Sequence, residues 1–105
     1  SDAEPLVRVQ SALALGLAAD GESLDALSDL VYDATPLVSR AAVEALVVLA
    51  ERNESQRGAV ARALLAATDQ ASAITRKHAK AALIQVAGVD HGEREDWLRW
   101  AQGLP

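Results

Sequence analysis

One helical unit occurs three times in the sequence, and this repetition constrains the fold more than any other feature. Residues 3–20 align with residues 34–51 at an offset of 31 positions, and residues 71–88 follow on the same frame at a further offset of 37. The best-matched positions are Pro5, Pro36 and Ala73; Leu6, Leu37 and Ile74; and Leu15, Leu46 and Leu83. Self-similarity at such periods is typical of a helical solenoid, in which about three copies are needed to bury a stable core.

The middle copy predicts the most buried helix of the fold. Over residues 35–51, apolar side chains recur at three- and four-residue steps and extend most of the way round the helix. Pro36 suits the first helical position, and the hydroxyl of Thr35 is expected to cap the helix. A helix that is apolar on nearly all sides needs neighbours on nearly all sides, so we place it at the centre, with Leu46 in the core. The predicted solvent-facing stripe consists of Ser39, Arg40, Glu44 and Glu51, in which Arg40 and Glu44 can pair.

The rest of the chain is also predicted to be helical. Apolar periodicity and helix-breaking residues predict six helices, over residues 5–19, 22–32, 35–51, 55–68, 72–87 and 93–102. Ser55 is the predicted cap of the fourth helix, and Gly88 is the predicted end of the fifth. No alternating run or Asn-Gly turn indicates a strand. We expect a single all-α domain over residues 1–105, with repeats at about 3–33, 34–70 and 71–105.

Composition excludes several kinds of site. The chain has no Cys and only two His, which removes thiolate chemistry and a His-based metal cluster. No apolar run is long enough for a transmembrane helix, and no signal-peptide pattern opens the sequence. We therefore expect a cytoplasmic protein with no metal, cofactor or membrane contact.

Charge is distributed unevenly along the chain. The net charge is −5, and residues 1–33 hold seven acidic residues against Arg8 alone. Residues 34–70 are balanced, and residues 71–105 carry one more base than acid. An acidic chain repels phosphate backbones, so nucleic acid is not an expected partner.

The opening of each copy resembles a HEAT-type repeat of the short bacterial kind related to the phycocyanobilin-lyase HEAT-like repeats. The residues that carry the resemblance in the first copy are Asp2, Pro5, Val7, Arg8, Ser11, Ala14 and Leu15. The second copy keeps Asp33 and Pro36 but has Ser39 where Arg8 stands. An ankyrin interpretation is rejected because residues 36–51 contain no break.

This resemblance implies a right-handed solenoid of three antiparallel helix pairs, with the second helices lining the inner face. It also implies a use, since the family mostly holds other proteins. Some members act as lyases on bilin chromophores and some enlarged relatives bind DNA. A fold alone does not transfer such activities.

A first candidate site is an apolar stripe on the first helix. Val9, Leu13 and Leu17 lie at positions that are polar or small in the other two copies, except for Val48. An exposed apolar stripe marks a contact. Three explanations stay open: a partner or second copy binds there, a preceding repeat covers it, or the helix is rotated so that the stripe belongs to the core.

A second candidate lies on the predicted inner face. Acidic and basic side chains on the second and fourth helices could grip a charged peptide, and Asp25 and Arg62 occupy equivalent positions that could bridge two repeats. The alternative is a solvated face with weak ion pairs. The residues concerned are Glu22, Asp25, Asp29, Tyr32, Arg57 and Arg62.

The last helix supplies a third candidate, Trp97 and Trp100. Trp is favoured at interface hot spots, but bulky residues also close the end of a solenoid. We expect one Trp to be buried against the fifth helix and one to be half-exposed. The basic cluster at residues 76–80 and the acidic loop at residues 90–95 match no strong phosphate or metal motif.

No nucleophile, base and orienting group form a catalytic constellation in the sequence. The sequence therefore predicts a non-catalytic protein-interaction or scaffold module, whose partner is another protein or a second copy of the chain. The alternative is a lyase-like domain that binds a small ligand or chromophore. The absence of Cys and of clustered aromatic residues argues against that alternative.

Overall fold

Six α-helices and one short 3₁₀ turn make up most of the residues that the structure describes. This computed structural model describes residues 4–18 and 20–104; Asp2, Ala19 and Pro105, which entered the sequence predictions, lie outside these residues. The helices are α1 Pro5–Ala18, α2 Gly21–Leu30, α3 Pro36–Arg52, α4 Arg57–Gln70, α5 Ala73–Ala87 and α6 Arg94–Gln102. No strand occurs in the described ranges, so the all-α prediction is confirmed. Each helix begins and ends within two residues of its predicted bounds.

The central helix is α3, as the sequence predicts. Ten of its 17 residues are buried, and it contacts α1, α2, α4 and α5. Leu46 is fully buried, as are Leu27 on α2 and Leu64 on α4. The core therefore surrounds α3, and the radius of gyration of 12.7 Å is close to the ~13 Å expected for a compact domain of this length.

Helices α1, α3 and α5 lie side by side and run in the same direction. Near their first turns, Arg8 on α1 donates to the hydroxyl of Thr35, and Ser39 on α3 bonds to Thr75 on α5. Further along, Gly16 on α1 contacts Ala45 on α3. Val47 on α3 and Ala82 on α5 likewise line one groove farther along their helices. Contacts near the starts and again farther on are possible only if the helices run parallel.

Several helix ends differ from the prediction in their chemistry. Thr35 makes no side-chain cap, because its hydroxyl accepts a hydrogen bond from Arg8. Ser55 is not the cap of α4 either; it lies in the 3₁₀ turn Glu54–Gln56, where the side chain of Asn53 accepts from its N–H. Gly88 does end α5, with the left-handed φ of +83° that favours glycine.

One residue of the predicted solvent-facing stripe on α3 is buried. Ser39 is 2% exposed and donates to the carbonyl of Pro36, besides its contact with Thr75. The prediction was wrong here because a hydroxyl that has partners on a neighbouring helix can be buried at low cost. Arg40 and Glu44 form the predicted exposed ion pair at 3.3 Å.

Candidate functional site

Helix α1 exposes more apolar surface than any other helix in the described part of the chain. Only Ala12 and Gly16 of its residues are buried. Four large side chains on this one helix are exposed, and together they form what we call the α1 surface: Leu6 (62% exposed), Val7 (51%), Leu13 (44%) and Leu17 (59%). Exposed aliphatic side chains concentrated on one helix indicate a contact surface rather than scattered surface residues.

The predicted stripe on the first helix is thus partly solvent-exposed. Val9 is half-buried and packs against the core, whereas Leu13 and Leu17 remain exposed. The explanation that the whole stripe belongs to the core therefore fails for Leu13 and Leu17. The other two explanations, a partner or a preceding repeat, stay open.

The α1 surface carries no free charge. Arg8 is the only charged residue between Pro5 and Ala18, and its Nε donates to Asp33 at 3.0 Å. The pKa of Asp33 is lowered, chiefly because the N–H of Thr35 donates to its carboxylate and further because Arg8 does so. Arg8 is therefore committed to the contact with Asp33, and the surface itself is uncharged.

The repeat frame shows what covers the face of α3 that matches Val7 of α1. Positions 7, 14 and 18 of α1 match Val38, Ala45 and Leu49 of α3. These α3 residues are 0%, 1% and 0% exposed, and α1 lies against α3 at Ala45. The matching residues of α1 are all exposed. In the second copy this face is covered by a helix, and in the first copy it is open. Of the α1 surface only Val7 belongs to this face, because Leu37, Glu44 and Val48, which match Leu6, Leu13 and Leu17, are not buried.

The predicted inner-face residues do not form one site. Asp25, Asp29 and Tyr32 are exposed. Arg62 donates instead to the carbonyl of Ala101 at 3.5 Å. No ion pair joins it to Asp25 among residues 4–18 and 20–104, so the bridge between repeats is not formed and the alternative of a solvated face holds for Asp25.

Arg57 belongs to the contact of α4 with the end of the chain. It donates to the carbonyl of Val86 at 2.9 Å and lies over the ring of Trp100 at 6.0 Å. The contacts that Arg57 and Arg62 make could not be predicted, because the sequence does not show where α6 packs.

The two Trp residues close the C-terminal end of the fold. Trp97 is 1% exposed, and Trp100 is half-buried, as predicted. Both rings contact the ring of His91, at 4.8 and 5.3 Å between centroids. Lys80 lies over Trp97 at 5.4 Å. Trp97 thus offers no surface to a partner, and α6 packs mainly on α4 rather than on α5.

An open groove lies between α3 and α5. Its volume is about 490 Å³, and Val43, Val47 and Ala82 form its apolar floor. Glu51 and His78 lie at its rim, and the buried Nδ1 of His78 has no hydrogen-bond partner among the described residues. Sequence reasoning missed this groove. The signal for it was the pair of small residues at positions 81 and 82 of α5.

The basic and acidic clusters noted in the sequence are engaged with each other or with backbone. Arg76 donates to the carbonyl of Ala71, and Lys80 donates to the carbonyl of Gly92. Across residues 4–18 and 20–104, no group of three His, Asp or Glu side chains is placed to hold a metal ion. In those same ranges no helix has the length and apolar character needed to cross a membrane.

Comparison with known proteins adds no relative. No family model matches the chain, and neither a characterised protein nor a solved structure matches it.

Proposed function

We propose that this chain is a non-catalytic, HEAT-like protein-binding module whose helices form three stacked antiparallel pairs, α1/α2, α3/α4 and α5/α6. The support is the pattern of contacts: α3 touches both α1 and α5, and α4 touches both α2 and α6. Helix α6 packs mainly on α4 and meets α5 through Lys80, which lies over the ring of Trp97. The shortest dimension of the molecule, 17 Å, suits two layers of helices packed 8–10 Å apart. The three internal repeats supply the sequence basis.

The observation that carries the binding function is the α1 surface. It is apolar, uncharged and exposed over the length of one helix. Water contact along such a face costs free energy of roughly 25 cal/mol per Å², which a partner recovers by covering it. A protein partner fits better than a small molecule, because the surface is a ridge and not a cavity.

The test compares the wild-type chain with a variant that lacks the α1 surface. Immobilised wild-type chain and Leu13→Gln/Leu17→Gln chain are exposed to extract from the source cells, and retained proteins are quantified by mass spectrometry. The matched control is Ile74→Gln/Leu98→Gln, which removes two exposed aliphatic side chains from α5 and α6. We expect at least one protein that the wild type and the control retain and the α1 variant loses. If the three chains retain the same proteins, the proposed function is wrong.

Self-association is tested with the same variants. Light scattering behind a sizing column, over a concentration series, gives the mass of each chain in solution. A wild-type dimer that Leu13→Gln/Leu17→Gln reduces to a monomer would identify a second copy as the protein bound.

A second candidate function, the binding of a small ligand, is favoured by the groove between α3 and α5. Its volume of about 490 Å³ is within the range of ~300–1,000 Å³ found for ligand pockets. Ala81 lines this groove and is exposed, so Ala81→Leu should fill part of it without disturbing the core. A compound that raises the melting temperature of the wild type but not of Ala81→Leu would support this function, and a library screen with no such compound would count against it.

A further inference from the structure

We infer that the partner of the α1 surface presents an α-helix whose apolar face is bordered by basic residues. This inference rests on the proposed function, because it names the chemistry of the protein bound at the same surface. It draws on the charges around α1, the shape of the α1 surface and the packing of α1 on α3.

The first step is the acidic border of the α1 surface. Glu4 precedes α1 directly, and Asp20 and Glu22 follow it. Asp25 and Asp29 continue along α2, which packs beside α1. All five carboxylates are exposed, and none forms an ion pair with another described residue. A helix of ~21 Å, whose one charged residue Arg8 is paired with Asp33, is therefore followed and preceded by carboxylates without an ion-pair partner, and the neighbouring α2 carries two more.

The second step is the chemistry that this border selects. Bringing an acidic or neutral partner onto the surface would leave these carboxylates repelled or partly desolvated, whereas a basic border neutralises them. Complementary charge also steers a partner before contact. No equivalent excess of charge borders α3 or α5, because residues 34–70 are balanced and residues 71–105 are nearly so.

The third step is the shape of the partner. Leu6, Leu13 and Leu17 are spaced at seven and four residues, which places them in one ridge along the axis of α1. Ridges of this kind pack into the groove of another helix at 8–10 Å. Helix-on-helix contact of this kind already exists inside the molecule, where α1 packs on α3.

The experiment uses three model helical peptides of about 18 residues that share one Leu face and differ only in the border, which is Lys, Gln or Glu. Binding of each fluorescent peptide to the full chain is measured by anisotropy at about 50 mM and about 500 mM salt. We expect the Lys-bordered peptide to bind about tenfold more tightly than the Gln-bordered one, and the Glu-bordered one to be weakest. High salt should remove most of this difference.

Two sets of variants assign the binding to the surface. Leu13→Gln/Leu17→Gln should weaken the Lys-bordered peptide about tenfold, and Ile74→Gln/Leu98→Gln should leave it unchanged. Glu22→Gln/Asp25→Asn/Asp29→Asn should weaken the Lys-bordered peptide about threefold and leave the Gln-bordered one unchanged. The matched charge control is Glu51→Gln/Glu54→Gln/Asp69→Asn, which removes three exposed acids elsewhere and should change neither. Circular dichroism establishes that each variant remains helical.

The outcomes separate this inference from the proposed function. Equal binding of the three peptides, lost in Leu13→Gln/Leu17→Gln, would overturn the basic border and leave α1 as the docking surface. Equal binding of the Lys-bordered peptide to the wild type and to that variant would overturn both. Binding of none of the peptides would overturn the basic helix, and the comparison in cell extract would still decide the proposed function. The chain could instead self-associate in a salt-sensitive way that Leu13→Gln/Leu17→Gln abolishes. This result would mean that residues 71–105 of a second copy, the most basic third of the chain, bind the α1 surface, and it would overturn a separate helical partner.

Discussion

Helix α3 has a parallel neighbour on each side, and the two interfaces are built differently. On the α1 side, the backbones approach so closely that a Cβ on Gly16 would lie 2.8 Å from the carbonyl oxygen of Ala45. On the α5 side, Val43 and Val47 face Ala82 across an open groove of about 490 Å³. Gly16 and Val47 hold the same position in the repeat. At this position of the repeat, Gly thus allows two helices to pack closely, whereas Val keeps them apart.

The polar ends of the two interfaces differ in the same way. Arg8 reaches from α1 to Asp33 and Thr35, across the end of the first interface. Ser39, which holds the Arg8 position in the second copy, is too short for this and bonds to Thr75 at 3.0 Å. A cavity of about 270 Å³ remains beside Ser39, lined in part by Gln70. The first interface is closed by a long charged side chain, and the second is closed by two buried hydroxyls.

The largest effect is expected where the two interfaces share their core. Leu46 is 0% exposed, so Leu46→Ala should lower the free energy of unfolding by about 2–5 kcal/mol. Leu37 is the control, since it lies on the same helix at 58% exposure and should change stability by less than about 0.5 kcal/mol on mutation to Ala. Urea melts measure both. A loss under about 1 kcal/mol for Leu46→Ala would mean that α3 is not the shared core.

The next effect concerns the close approach at Gly16. Gly16→Val gives α1 the residue that α3 has at the same position, and the added Cβ meets backbone atoms that have no side-chain freedom to move away. We expect a loss of about 1–3 kcal/mol in urea, with α1 displaced from α3. Gly21→Ala is the control, because its Cβ would meet only Gln56 at 3.8 Å. Equal stability of the Gly16→Val and wild-type chains would show that the first interface is as open as the second.

Much of the fold could be predicted from sequence, and Gly16 marks where prediction ended. Periodicity within each copy predicted the six helices, and the apolar circumference of residues 35–51 predicted the central position of α3. The closeness of Gly16 to Ala45 could not be predicted, because it depends on how two helices cross. For the same reason the groove beside Ala82 was missed.

The candidate site was predictable only in part. The alignment of the three copies pointed to Leu13 and Leu17, because the matching residues in the other copies are mostly polar or small. Both side chains are exposed. The exposure of Leu6 and Val7 was not predicted, because apolar periodicity alone does not show which face of an end helix lacks a neighbour. Burial of Ser39 and the use of Arg62 by α6 were missed because both depend on contacts between distant parts of the chain.

Two substitutions can give the interface between α3 and α5 the polar end that the interface between α1 and α3 has. Ser39→Arg places a charged side chain beside the cavity of about 270 Å³, and Gln70→Asp then supplies the carboxylate that Asp33 supplies in the first copy. Ser39→Arg alone should destabilise the fold, because the new charge lacks a partner. A double-mutant cycle in urea should give a favourable coupling of about 1 kcal/mol between the two substitutions. A coupling near zero would mean that the two ends differ in more than these side chains.

The smallest effect is expected at the charged end of the first interface, and it depends on pH. Arg8→Ala removes hydrogen bonds from a carboxylate whose side chain is 15% exposed, and should lower stability at pH 7 by about 1 kcal/mol. The folded state lowers the pKa of Asp33 through the N–H of Thr35 and through Arg8, so the charged form is favoured on folding. This stabilisation is present above the ordinary Asp pKa of ~3.9 and is lost as the pH falls through the lower folded pKa. The difference between wild type and Arg8→Ala in urea melts should therefore be full at pH 7 and shrink below about pH 4. The difference in stability could instead stay constant down to pH 2–3, roughly one unit below the ordinary Asp pKa. This result would assign the effect of Arg8 to packing of its aliphatic stem and not to Asp33.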